Sequence, residues 1–304
     1  MRIRYAALFV LLSTFAFGQA PLASQKTSDL DASAGSSPAS LSEDQIRQLI
    51  RESAGKDAEN DKKLRDYTYL ERQQVRRIDG KGQVKSTEIK TYDVMQIYGE
   101  RVEKLISKDD KPLSAKDAKK EDGKIQKLID KRRNESDADR AKRLQKEEKE
   151  REEDRQFVRE VADAYNFRFA GMESLDGREN YVIDADPKPG YEPHLKDARI
   201  LPKFRFRAWI DKNDIQWRKL DVQCIDTVSF GVLLFRMHKG SRAILEQTRV
   251  NDEVWLQRHV AAKVDFRLAL VKNFDVDMDI TDRDYKKFRS DTTIIPLGEA
   301  RFQE

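Results

Sequence analysis

Cysteine, histidine and tryptophan are scarce in these 304 residues, which hold one Cys, three His and three Trp. A lone thiol cannot close an internal disulfide, so stability in an oxidising compartment has to come from a packed core. Cys224 ends the alternating run Leu220-Asp-Val-Gln-Cys224 and reads as a buried small side chain rather than a nucleophile. His194, His238 and His259 fall in separate segments without paired ligand spacing, so they spell no zinc-type site. A Gly-x-Ser-x-Gly elbow, a phosphate-cradling glycine loop and a Cys-His pair in a glycine context are missing as well. The chain therefore reads as a non-enzyme without a cofactor, a metal or catalytic residues.

Excess charge of one sign is also lacking. Lys and Arg number 59 and Asp and Glu 55, a net of +4 although charged residues make up 38% of the chain. That balance gives no strong field for nucleic acid. Long apolar runs are confined to one place, Tyr5 to Phe17, preceded by Arg2 and Arg4 and followed by small residues. This is the pattern of a secretory signal peptide, residues 1–20. It is shorter than the ~20 residues a spanning helix needs, so a retained anchor is the lesser reading. Cleavage after Gly18 or after Ala20 would each release the chain. No cysteine stands there to carry acyl groups, so a periplasmic or secreted location is expected.

What remains is about 280 residues, enough for a sizeable core. Residues 21–40 are rich in Ser, Ala, Asp and Pro and read as a disordered leader. One domain is expected over 41–304. Ser42-Glu-Asp-Gln45 has capping-box spacing, and Ile46, Leu49 and Ile50 recur at helical intervals, which predicts a short helix ending near Gly55. From Tyr67 the period becomes two. A strand over 67–77, a turn at Asp79-Gly-Lys-Gly82, a strand from Val84 to Tyr98 and a third over 101–106 form a predicted meander.

Residues 114–165 interrupt it with Ser, Lys, Asp, Ala and Glu, which predicts a charged helical insertion broken at 134–137 into two helices. Leu144 is the one large apolar residue between 138 and 156, so that stretch reads as an exposed arm. Its i,i+4 pairs, such as Glu147 with Arg151, contribute only about 0.2–0.5 kcal/mol each.

After Phe167 alternation returns and runs to about Phe288, giving eight or so further strands and about eleven in all. Phe204, Phe206 and Ala208 share one face, Arg205, Arg207 and Trp209 the other. Val254, Leu256, Val260, Ala262, Val264, Phe266 and Leu268 hold one face of a strand long enough to need a bulge. Asp186-Pro-Lys-Pro-Gly-Tyr-Glu-Pro193 opens a structureless loop to about Leu201, since three prolines remove three ladder donors. Asp275, Asp277 and Asp279, with Asp282 and Asp284 beyond, read as a solvated polar face. Alternate carboxylates on a strand sit about 7 Å apart, too far to share a cation.

The fold class is thus α+β: a curved antiparallel sheet, an open half-barrel, with an N-terminal helix and the charged insertion. The order and spacing of Ala208-Trp-Ile-Asp211, Trp217-Arg-Lys-Leu220, Lys239-Gly, Asp252-Glu-Val-Trp-Leu256 and Asp284-Tyr-Lys-Lys-Phe288 resemble the lipoprotein-carrier superfamily of the bacterial envelope, the Lol-type and outer-membrane lipoprotein-sorting proteins. Gln257 stands where many such sequences have a proline, and the helical insertion is longer than a simple lid requires. The resemblance implies a half-barrel covered by helices, a concave apolar surface for acyl chains, and release when the helices move. It carries over no binding residue.

The candidate ligand-binding face comprises Phe204, Phe206, Phe235, Met237, Leu256, Val260 and Phe266, whose other reading is a filled core packed against the helices. A lipid or acylated protein is the partner in the first case. In the alternative, a scaffold module, the arm at 114–165 docks an envelope protein.

Overall fold

Gln45 N donates to Ser42 Oγ at 3.3 Å and Ser42 N donates to Gln45 Oε1 at 2.8 Å, closing the capping box that starts helix α1 (Glu43–Leu64). The sequence places its end near Gly55, but the helix continues for nine residues more. Glycine costs a helix interior only about 1 kcal/mol. Beyond Gly55, Gln216 Nε2 donates to Asp57 Oδ1 at 3.2 Å and Trp255 N to Asn60 Oδ1 at 3.2 Å. These tertiary bonds hold the extra turns. The computed structural model describes residues 41–230, 235–268 and 272–288, so the expected signal peptide and leader lie outside the described residues.

Thirteen antiparallel strands build one open sheet. They are β1 (Tyr67–Ile78), β2 (Val84–Ile97), β3 (Glu100–Lys108), β4 (Lys111–Pro112), β5 (Tyr165–Leu175), β6 (Arg178–Pro187), β7 (Phe204–Asp211), β8 (Trp217–Cys224), β9 (Val228–Phe230), β10 (Phe235–Met237), β11 (Arg242–Val250), β12 (Val254–Leu268) and β13 (Lys272–Lys287). Eleven follow the order β4-β3-β2-β1-β13-β12-β11-β8-β7-β6-β5, while β9 and β10 form a hairpin that pairs with the far end of β12. The last strand therefore closes the chain onto the first, and the sheet stays unclosed between β4 and β5. The two-residue β4 and the short β9 and β10 account for strands that alternation over so few residues does not mark.

Ser114 and Ser136 cap α2 (Ala115–Arg133) and α3 (Asp137–Ala164), each hydroxyl accepting from the backbone N–H three residues on at 3.2 Å. The break falls at Asn134 as the sequence predicts. No residue between 138 and 156 is buried, because Leu144 alone is too little apolar surface to hold that stretch against the sheet. Among the described residues no helix is long and apolar enough to cross a membrane. The proline-rich loop is partly ordered: a 3-10 turn spans Asp197–Lys203 and buries Ala198 and Leu201.

Helix α1 packs on β5 and β12 and against α3, while α2 lies on β3 and α3 reaches the 3-10 turn. Ile46 joins Tyr165, Phe167, Ile183, Ala185, Ala208 and Ile210 under α1. A second cluster fills the middle of the sheet and a third, Tyr67 with Val254 and Leu256, lies at one end.

Candidate functional site

Strand register turns the alternation of separate strands into rungs that cross the sheet. On one rung Val75 faces Met278, Met278 faces Ala262, Ala262 faces Ala243, Ala243 faces Val222 and Val222 faces Phe206. The next runs Ile280, Val260, Leu245, Leu220, Ala208. To the other side Val276 faces Val264, and Phe266 stacks on Phe274 with centroids 5.2 Å apart. These residues form a continuous apolar belt over β7, β8, β11, β12, β13 and β1.

Of the residues expected to bind ligand, Phe204, Met237, Val260 and Phe266 are buried in one cluster of this belt. Phe206 lies on the belt but turns toward α1, its ring 4.9 Å from that of Tyr165. Phe235 pairs with Phe230 and Leu268 in β10, and its side chain is outside the described residues. Leu256 leaves the belt. Glu246 faces His259 but Gln247 faces Gln257, so Arg258 is an extra residue, a β-bulge, and the faces exchange there. Gln257 takes the inward place and Leu256 packs with Tyr67 and Val254.

That exchange completes a rung absent from the sequence analysis. Gln247 faces Gln257, Gln257 Nε2 donates to Asp282 Oδ2 at 2.9 Å, and Asp282 faces Glu71 across β1 and β13. Both carboxylates are buried, each 5% exposed. Arg101 of β3 donates to Glu71 Oε2 at 2.5 Å and to the Tyr69 hydroxyl at 3.0 Å, and also pairs with Glu103. Gln73 Nε2 donates to Glu71 Oε1 at 2.6 Å. Tyr285 donates its hydroxyl to Gln257 O at 2.5 Å, and its ring lies 4.9 Å from that of Tyr69.

Burial, and then the charge of Glu71, pushes the Asp282 carboxyl well above the ordinary carboxylate value. Burial raises Glu71 too, against the opposing pull of Arg101. Asp282 Oδ1 is buried without a hydrogen-bond partner. The signal was present in the sequence, because Glu71 and Asp282 continue the inward rows Tyr67, Tyr69 and Val276, Met278, Ile280.

The other carboxylate row stays on the outer face. Asp277 pairs with Arg76 at 3.3 Å and Asp279 with His259 at 2.9 Å. Among the described residues no group of three His, Cys, Asp or Glu could hold a metal. An open depression of about 220 Å³ lies between α3 and the loop at Tyr191 to Leu195, below the ~300 Å³ at which ligand pockets begin.

No protein-family model matches the chain, and no curated protein matches it. Among solved structures it is similar to a domain described as an outer membrane lipoprotein-sorting protein from Vibrio parahaemolyticus, at 10% identity over 81% of this chain and 95% of that one, with a TM-score of 0.31. A DUF1329 family protein from Desulfovibrio piger is 12% identical over 79% of this chain and 92% of that one, TM-score 0.28. A LolA superfamily protein from Nitrosomonas europaea is 10% identical over 80% of this chain and 94% of that one, TM-score 0.28. At TM-scores this low the likeness carries no functional weight, and the chain's own residues have to.

Proposed function

We propose that the chain is an exported, non-catalytic carrier that holds a hydrophobic ligand, a lipid or the acyl chains of a lipoprotein, on the concave face of its half-barrel. The observation behind this reading is the apolar belt, unbroken over six strands of an unclosed sheet. Burying an acyl chain there contributes about 0.8 kcal/mol per methylene. Val260 and Phe266 are 3% and 1% exposed, so a ligand gains access when the elements over them shift. Helix α1 and the 3-10 turn are the covers. The test is binding of a fluorescent acyl probe to wild-type protein and to Phe206→Glu and Val260→Glu, with circular dichroism to certify the fold. Loss of binding by folded variants supports the reading, and retained binding removes the belt from the site.

A second reading, a scaffold that docks an envelope protein through α2 and α3, is favoured by one observation. Leu144 and Val158 of α3 stand 45% and 37% exposed. A protein that binds no acyl probe yet captures a partner only with α3 intact would fit that alternative.

A further inference from the structure

The belt ends on the polar rung: on β13 Val276, Met278 and Ile280 are followed on the same face by Asp282, at the ~7 Å repeat of alternate strand residues. An extended chain lying along β13 would bring its head to this residue. The rung's composition decides what head fits. Glu71 and Asp282 are two buried carboxyls, and Arg101 supplies one guanidinium, which Glu71 already takes at 2.5 Å. With both carboxyls ionised, and with Glu103 sharing the guanidinium, the group is short of positive charge, which a proton on the raised Asp282 carboxyl makes up in the free protein. A divalent cation would meet the guanidinium at close range, and among the described residues no group of three ligands stands here to hold one.

Two further features point to a donor of hydrogen bonds. Asp282 Oδ1, on a residue 5% exposed, has no partner. Farther along, Gln216 gives its Nε2 to Asp57 Oδ1 and Gln247 Oε1, both at 3.2 Å, and its buried Oε1 also has none. Gln216 Oε1 is an acceptor, and so is Asp282 Oδ1 once its carboxyl ionises, and a buried acceptor left unpaired is costly. Beside Asp282 the tilted ring pair Tyr69 and Tyr285 adds electron-rich faces, one of which already carries a cation, Arg101 over Tyr69 at 5.9 Å. Carboxylate, free acceptor and aromatic face together make the environment of an ammonium group.

We infer that Glu71 and Asp282, with Tyr69 and Tyr285, form the headgroup site for an amphiphile bearing a singly charged amine, its apolar chain lying on the belt. The inference rests on the carrier reading proposed above. Bound ammonium takes the place of the Asp282 proton, supplying positive charge and a donor to Oδ1, while a carboxylate head at the same place would face two buried carboxyls.

Titration calorimetry of the purified, delipidated protein with decylamine, decanol and decanoate separates the possibilities, since the three share one chain and differ in head. The expected result is decylamine binding about tenfold or more tighter than decanol, the scale of a charge-assisted hydrogen bond, with decanoate weakest. The preference should vanish in Asp282→Asn, which keeps the shape and can still accept from Gln257. Equal binding of amine and alcohol by wild-type protein would overturn the ammonium site and leave the carrier standing. Failure of all three to bind would overturn the carrier reading and this inference with it. Because the wild-type comparison needs no variant, a misfolded Asp282→Asn would not shelter the inference.

Discussion

Glu160 of α3 accepts the backbone N–H of Leu195 at 3.0 Å and that of His194 at 2.5 Å, fastening the last turns of the charged helix to the loop ahead of the 3-10 turn. The Tyr191 hydroxyl donates to the same carboxylate at 3.2 Å. One side chain thus ties two of the elements that flank the apolar belt.

Removing that clasp should loosen the cover and leave the sheet intact. Glu160→Ala removes the partner of two backbone donors that are only partly buried, so each costs no more than the ~1 kcal/mol of an ordinary hydrogen bond. Hydrogen exchange should accelerate at residues 191–203 while β12 keeps its protection. Unchanged exchange at the loop would show that Leu201 holds it down, through its apolar contacts and the Tyr165 hydroxyl that donates to Leu201 O at 2.8 Å.

Acid should not weaken the buried rung; alkali should. Asp282 and Glu71 are raised in the folded protein by burial, above their unfolded values of about 3.9 and 4.3. Below those values both states carry the protons and nothing is lost. As pH climbs, the unfolded chain ionises first, so folding stability falls until the folded pKa is passed. The groups facing Asp282 are Glu71, Arg101 and Tyr69 from β1 and β3, Gln257 from β12 and Tyr285 from β13 itself. Urea midpoints measured from about pH 4 upward should fall less steeply in Asp282→Asn than in wild type. Parallel profiles would mean that Asp282 ionises in the folded state as it does in water.

Cys224 should be chemically silent. Its thiol is 1% exposed, donates to Asp226 O at 2.9 Å and is pushed up by burial, all of which suppress the reactive thiolate. Labelling by an aromatic disulfide reagent should proceed no faster than global unfolding. Rapid labelling of native protein would show that the β8 end of the belt opens on its own.

The joint of the arm hangs on Glu135, which accepts from Arg132 at 3.0 Å and from Arg143 at 2.9 Å. The arginines on either side hold its carboxyl below the usual range. Glu135→Ala should release α2 from α3. Trypsin should then cut between residues 132 and 143 faster than in wild type, with no change in the sheet's circular dichroism. Equal cutting would assign the joint to the serine cap and to Glu100, which pairs with Arg132 at 2.5 Å and with Arg143 at 3.7 Å.

Local chemistry was legible in the sequence and long-range registration was not. Ser42 with Gln45, the turn at Asp79 to Gly82 and the break before Ser136 are encoded within a few residues, so elements starting there are read correctly. Helix α1 outruns its apparent stop at Gly55 because Asp57 and Asn60 bond to Gln216 and to Trp255 N, partners that no window around Gly55 contains. Leu256 changes face because one extra residue, Arg258, sits in β12, and alternation alone cannot place a bulge. Glu71 and Asp282 meet because the last strand returns beside the first, which makes an interior pair of two residues that each read as ordinary surface charge.

A hydrophobic ligand on the concave belt, as proposed, should stay with the protein through purification. Native mass spectrometry, with lipid extraction, of protein purified from its own envelope fraction without detergent tests it most directly. A carrier should show a co-purifying acyl-chain species in near-stoichiometric amount, lost from a folded Val260→Glu variant. A clean mass of the chain alone, with no extractable lipid, would contradict it and leave the belt a filled core beneath a docking arm.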